Sequence, residues 1–145
     1  MLKLNFPNYT FKIKKKDNND YIFDEIRKKY IRLTDEEWVR QNCVKYLIKE
    51  RGYPQLLFNI EKSLKINNLT KRYDIVVYNN DGTINLLVEC KSPKIKITQK
   101  TFDQIALYNM NLKSNFQMVT NGINHYYCKI DYENKRYNFL KEINF

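Results

Sequence analysis

The stretch INLLVECKSP, residues 84–93, runs an apolar strand pattern into a carboxylate, a thiol and an ammonium before a proline. Residues two apart on a strand point to one face, so Glu89 and Lys91 share a face, and Cys90 faces the other way, among apolar neighbours on the Leu87 side. Cys90 reads as a small core residue whose backbone carbonyl stays available. On the preceding segment, KRYDIVVYNN, Asp74 stands between apolar residues, where a lone carboxylate is costly to desolvate. NNDG, residues 79–82, is a strong hairpin signal, and counting outward from Asp81-Gly82 sets Asp74 opposite the neighbourhood of Glu89. Two carboxylates about 4 Å apart repel by about 4 kcal/mol at an effective dielectric of about 20, so compensating positive charge is required. Lys91 supplies one unit. A divalent cation between Asp74 and Glu89 supplies the rest, and hard oxygen donors, with the Cys90 carbonyl among them, suit Mg²⁺ or Mn²⁺. Such a centre polarises a phosphate and lowers the pKa of a bound water, with Lys91 holding that water or stabilising developing charge.

Glu-x-Lys by itself is weak evidence. It recurs at Glu133 and Lys135 in DYENKRY, with no apolar run before it and no Asp-bearing strand behind it. The plain alternative at Glu89 and Lys91 is a surface ion pair worth at most about 1 kcal/mol. The strand context separates the two occurrences.

Elements must carry these residues into register. LTDEEWVRQNCVKYLIKERGYP predicts a helix with Thr34 at the N-cap and Glu37 at the N3 position of a capping box. Val39, Cys43, Tyr46 and Leu47 form its apolar stripe, and Gly52 and Pro54 end it. From Gln55 the pattern changes to period two in LLFNIEKSLKI, KRYDIVVYNN and TINLLVECKS, three strands. TQKTFDQIALYNMNLKS predicts a second helix starting at Thr98 or Thr101, and FQMVTNG, HYYCKID and KRYNFLKEI read as strands. Upstream, YTFKIKKK and YIF alternate around DNND, which predicts an N-terminal hairpin leading into RKKYIRL. Its charged KIKKK run is a solvated strand face or a phosphate contact.

The chain has 145 residues and a formal net charge of +10. That length fits one domain, 1–145: an N-terminal β extension over 1–33, a core over 34–122 and C-terminal strands over 123–145. The basic surplus points to polyanions such as nucleic acid. Abundant Lys, Asn, Ile and Tyr also fit AT-rich coding. Three cysteines without a CxxC pair argue against a disulfide framework or a zinc site. No segment reaches the roughly 18 apolar residues of a membrane span, and a cytoplasmic protein is expected. His125, the single histidine, reads as structural.

RYDIVV and LVECK, set between the two helices, resemble the PD-(D/E)XK nuclease superfamily, and more narrowly the N-terminal nuclease domain of type I restriction enzyme R subunits in a short stand-alone form. EEWVRQNCVKYLIKERGYP, TFDQIALYN and MVTNG extend the resemblance over most of residues 34–122. It implies an α/β fold: a restriction-endonuclease-like core, with a mixed central sheet flanked by helices in the order α-β-β-β-α-β, an N-terminal β-hairpin and C-terminal strands. It also implies a metal-dependent DNA endonuclease. Asp74 and Glu89 would hold Mg²⁺ or Mn²⁺, Cys90 would lend its carbonyl, and Lys91 would activate water. Gln104, with Tyr108 four residues on, is similar to the Gln-x-x-x-Tyr element of the superfamily and would orient Lys91 or substrate. Glu37 is the match to a first-helix Glu that completes the site, with Arg40 beside it contacting phosphate or pairing with acids. Lys71, Arg72, Lys94 and Lys96 would bind phosphates. Tyr73 stands where the motif has Pro. No Walker-type loop is present and an ATP-driven motor has no room, so translocation is not expected of this polypeptide. DNA is the expected partner, with a homodimer or a larger restriction or repair complex as assembly and no membrane. The alternatives are a catalytically weak or inactive DNA-binding subunit of the same fold, and a structural or partner-binding protein.

Overall fold

The computed structural model describes residues 1–145. Helix α1, Asp35–Arg51, starts where Thr34 takes the Glu37 N–H on its hydroxyl at 3.1 Å. It ends at Gly52, whose φ of 73° is a left-handed C-cap that glycine adopts without a Cβ penalty. Strands β4 (Phe58–Ile66), β5 (Leu69–Tyr78) and β6 (Ile84–Cys90) follow. Helix α2 (Gln99–Asn109) then leads to β7 (Phe116–Thr120), β8 (His125–Asp131) and β9 (Arg136–Leu140). The six strands form one sheet in sequence order, antiparallel except for β6 and β7. Parallel neighbours cannot be joined by a tight turn, and α2 lies in the crossover that connects them.

The two faces of the sheet are covered by different helices. Val39, Cys43 and Leu47 of α1 pack with Ile75, Val77, Leu86, Val88, Cys90 and Met118. On the other face Phe102 and Ala106 of α2 pack with Val119, Cys128 and Ile130, beside a smaller group of Ile66, Tyr73, Val76 and Leu87. Alternation along β6 therefore puts Cys90 with Leu86 and Val88, against α1. Leu87 faces the opposite side, which corrects the expected Leu87-side placement of Cys90.

Three further expectations change. The N-terminal hairpin is a separate three-stranded antiparallel sheet, because RKKYIRL supplies a third strand. Its strands are β1 (Ile13–Lys16), β2 (Asn19–Asp24) and β3 (Lys29–Arg32). The first turn is only Asp17-Asn18, with φ of 52° and 63°, the signature of a two-residue hairpin loop that Asn and Asp tolerate. Second, α2 begins at Thr98, which caps the Thr101 N–H at 3.1 Å, and it stops at Asn109 rather than running on to Ser114. Asn109 is buried and accepts from the Tyr73 hydroxyl at 2.6 Å. One 3-10 turn and a left-handed Lys113 then redirect the chain. Third, Tyr46 is only half-buried, and Val44 joins the buried stripe of α1 in its place.

Gly122 follows β7 at φ 86°, and a Cβ there would lie 2.8 Å from a Leu4 methyl and 3.0 Å from a Val39 methyl. Gly122→Ala is expected to cost about 1–3 kcal/mol, from overpacking and from the left-handed backbone together. Urea unfolding of the variant beside wild type measures it, and an unchanged midpoint would contradict the close approach.

Candidate functional site

Asp74 lies where β5 and β6 part. Their pairing runs from Val77↔Leu86 through Ile75↔Val88 and stops there. The next positions outward are Asp74 and Glu89. Instead of a ladder bond, the Asp74 carboxylate accepts the Cys90 N–H on Oδ2 at 2.8 Å and the Arg40 guanidinium on Oδ1 at 2.7 Å. Alternation along β5 also breaks at this point. Ile75 and Val77 pack towards α1, whereas Tyr73 and Val76, three apart, share a cluster on the other face. On the neighbouring β4, Glu61 has φ 53° between the pairs Ile60↔Ile75 and Lys62↔Tyr73. A non-glycine residue in this region inside a strand marks a local kink.

Behind Asp74 is a network of arginines and carboxylates. Arg27, from the β2–β3 turn, reaches Asp24 at 2.6 Å, Glu37 at 2.9 Å and Glu61 at 3.2 Å. Arg40 pairs with Glu37 and reaches Asp74 at 2.7 Å, Glu36 at 3.4 Å and Glu61 at 3.6 Å. Gln41 donates to Glu37 at 2.9 Å and to Asp24 at 3.0 Å. Asp24, Glu36, Glu37, Glu61 and Asp74 thus share the guanidiniums of Arg27 and Arg40, with exposed Arg72 a longer contact of Glu61 at 3.9 Å, leaving a local acidic surplus within a basic chain. Such a surplus is stable only with further positive charge nearby.

Glu37 makes only half of the expected capping box. Its N–H donates to Thr34, but its buried side chain turns to Arg27, Arg40 and Gln41. Glu36 lies nearer the opening, its side chain 49% exposed. Partial burial raises its pKa, and the negative charge of Asp74 raises it further, while Arg40 and Lys91 pull it down. Glu36 therefore sits in the field of both Asp74 and Lys91.

Lys91 is half-buried and is tied by its backbone N–H to the Thr120 carbonyl at 2.8 Å, so the end of β6 is held against β7. Glu89 is 8% exposed, and its Oε1 accepts from Lys71 Nζ at 2.5 Å. Lys71 also stands over the rings of Tyr73 and Tyr108, at 4.8 and 4.9 Å from their centroids. A shallow groove on this side is lined by Lys71, Gln104, Ile105 and Tyr108. Gln104 and Tyr108 are one helical turn apart and both exposed. The fold thus brings Asp74, Cys90, Glu89 and Lys91 to one end of β5 and β6, with Gln104 at the margin beside Lys71. Glu37 stands behind Arg40. Arg72 and Lys94 are exposed and pair with Glu61 at 3.9 Å and Asp35 at 3.4 Å, and Lys96 is exposed.

Asp74 and Glu89 offer carboxylate oxygens, the hard donors that suit a divalent cation, from the same end of β5 and β6. Their side chains, however, engage partners on opposite faces, Arg40 of α1 and Lys71 beside Tyr108 of α2. No group of three or more His, Cys, Asp or Glu side chains is gathered as a cage. Mg²⁺ commonly takes only one or two protein carboxylates and keeps several waters, so either carboxylate with water would be a sufficient donor type. The Cys90 thiol is not a ligand candidate. Its hydrogen bond with Cys43 and its burial raise its pKa well above the ordinary thiol value.

His125 works as a clip. Its Nε2 lies 2.7 Å from the Asn5 carbonyl and must donate, which leaves Nδ1 to accept from the Thr120 hydroxyl at 2.7 Å. The ring stacks on Phe6 at 4.3 Å, and burial pushes its pKa down. It pins the N-terminal segment to the β7–β8 turn.

Composition and spacing did not reveal Arg27, Asp24, Gln41, Glu61 or the Lys71–Glu89 pair. Only the i+4 spacing of Gln41 from Glu37 was visible on the helix. Burial alone would raise the pKa of Asp24, but hydrogen bonds from Arg27, the Arg27 charge and the Ile26 N–H outweigh it and hold it below 3.8. A depressed folded pKa adds stability above the unfolded value and loses it as pH falls through the folded one. The stability difference between wild type and Asp24→Asn should therefore shrink on acidification below about pH 4. Urea unfolding at stepped pH measures it, and a constant difference down to pH 2 would contradict the pairing.

The chain belongs to the family described as type I restriction enzyme R protein N terminus, which matches residues 35–144. The match takes in both helices and the whole six-stranded sheet, and leaves the three-stranded sheet outside. No curated protein matches the chain. No helix is long and apolar enough to cross a membrane.

Proposed function

We propose that the chain is a metal-dependent DNA endonuclease with a restriction-endonuclease-like core, hydrolysing phosphodiester bonds at the parted ends of β5 and β6. The observation that carries this reading is the hydrogen bond from Cys90 N–H to Asp74, made where the strand ladder stops, in a chain of the restriction R-protein family. It ties Asp74 to the segment bearing Glu89 and Lys91 and keeps the backbone of Cys90 beside the carboxylate.

Asp74, Glu89 and the Cys90 carbonyl would hold Mg²⁺ or Mn²⁺, which when bound polarises the phosphate and acidifies a water. Arg40, 6% exposed in its side chain, is fixed by Glu37 and orients Asp74. Lys71 is the exchangeable partner. Its side chain is 28% exposed, and it can leave Glu89 for a DNA phosphate when Glu89 takes up other charge. Lys91 holds the attacking water or the charge that develops on phosphate, a preorganised donor of the kind that carries much of catalysis. Glu36, in the field of Asp74 and Lys91, replaces Glu37 as the first-helix carboxylate bordering the chemistry. Gln104 lines the groove through which substrate meets Lys71. The chain acts as one domain, alone, as a homodimer or within a larger restriction or repair complex.

The test is incubation of supercoiled plasmid with Mg²⁺ or Mn²⁺, with EDTA as control; nicking and linearisation that EDTA abolishes are expected. One observation favours a second reading, a catalytically silent DNA-binding subunit. Arg40 and Lys71 already neutralise both carboxylates. Retained plasmid with a mobility shift on a gel would select it.

A further inference from the structure

The three-stranded sheet, outside the residues matched by the family, has two unlike faces. Cross-strand register places Lys12, Phe23 and Tyr30 in one row, Lys14, Tyr21 and Arg32 in the next, and Lys16 opposite Asn19. The face built from these rows holds four cations and three aromatic rings and no carboxylate. The other face buries Ile22 and Asp24, which are 0% and 1% exposed, and carries Asp20. The basic face is therefore the outer one, and its lysines are exposed.

The rings position the charges. Lys14 Nζ stands 4.0 Å from the Tyr30 centroid and Lys12 Nζ 5.6 Å from that of Phe23. Phe23 and Tyr30 stack at 5.3 Å. Long basic side chains laid over apolar rings expose their ammonium heads to solvent with fewer rotamers to lose on binding. Lys12, just before β1 and held by its carbonyl to the Phe23 N–H, continues the alternation of Lys14 and Lys16 with Ile13 and Lys15 at about 7 Å spacing, a row of like charge. Such a row concentrates positive potential that draws a polyanion. The sheet also adjoins the candidate site, since Arg27 in its second turn bonds Glu37 and Glu61.

We propose that the outer face of β1–β3, through Lys12, Lys14, Lys16 and Arg32, is a second nucleic-acid contact that grips the phosphodiester backbone of DNA beside the cleavage site. It rests on the proposed DNA-cleaving function and adds to it a docking surface supplied by the N-terminal sheet. Lysines stand over Phe23 and Tyr30, and Tyr21 is half-buried, so backbone charge rather than base stacking is the recognised feature.

The experiment compares two double variants that remove equal charge from opposite faces: Lys12→Gln with Lys14→Gln, and Lys15→Gln with Lys29→Gln. Binding of labelled duplex and of single-stranded DNA of equal length is read by fluorescence anisotropy without divalent metal over a salt series, with melting curves as folding controls. The outer-face pair should weaken binding about tenfold at low salt and flatten the log–log salt slope by about 1–2, while the other pair changes affinity by no more than about twofold. Loss on duplex alone, or on both, identifies which form of DNA the backbone contact serves. If wild type binds and cuts but the two pairs behave alike, the docking surface is wrong and the nuclease reading stands. If wild type neither binds nor cuts DNA, the nuclease reading falls and takes this inference with it.

Discussion

Lys91→Ala is expected to keep the fold and to lose metal-dependent plasmid cleavage by about 10²–10³-fold or more, the usual cost of removing a preorganised charge donor from a transition state. The fold should survive because Lys91 is anchored through its backbone N–H to Thr120, a bond that alanine retains. Asp74 calls for a gentler variant. Alanine there would strand the Cys90 N–H and the Arg40 guanidinium, so lost activity could merely report a loosened sheet. Asn keeps an oxygen for the Cys90 N–H, but it turns an NH2 towards the Arg40 guanidinium, so the charge and one acceptor are lost together while Arg40 keeps its other carboxylates. Asp74→Asn should therefore stay folded with a melting temperature somewhat below wild type, less lowered than that of Asp74→Ala, and fall as far as Lys91→Ala in cleavage with Mn²⁺. Cleavage by either variant within about threefold of wild type would exclude these residues from the chemistry.

Glu37→Ala should instead act on stability, by about 1–3 kcal/mol, the cost of hydrogen bonds to charged groups lost at a buried position. The substitution leaves two largely buried guanidiniums, Arg27 and Arg40, each short of a carboxylate, and takes from Gln41 one of its acceptors. The loss is limited because Arg27 keeps Asp24 and Glu61, and Arg40 keeps Asp74 and Glu36, so neither buried charge is left without a carboxylate. The melting temperature should fall by roughly 3–10 °C for a chain of this size. Calorimetry or urea unfolding reads the effect. A variant that melts like wild type yet no longer cuts would return Glu37 to the catalytic role read from the sequence and remove that role from Glu36.

Much of the candidate site was legible before any coordinates, because it is written in local patterns. The period-two apolar runs, the NNDG turn and the Glu-x-Lys at a strand end are short-range features. Together they led to the expectation that Asp74 and Glu89 lie on adjoining strand ends, and they marked Cys90 as a core residue, which is 2% exposed. The capping residue Thr34 and the stop at Gly52 likewise follow from backbone hydrogen bonding within one turn. Tertiary structure alone decided the partners of the charges. Arg27 lies 10 residues from Glu37 and 34 from Glu61, and Lys71 lies 18 from Glu89, separations at which spacing carries no geometric information. The same holds for the face on which an N-terminal lysine sits. KIKKK reads equally as a solvated strand or a phosphate contact until Ile22 and Asp24 are seen buried, which sets the outer side of the sheet. Local patterns determine which residues form an element and how they alternate; which long-range ion pairs close depends on how the sheets and helices dock, a property of the whole fold.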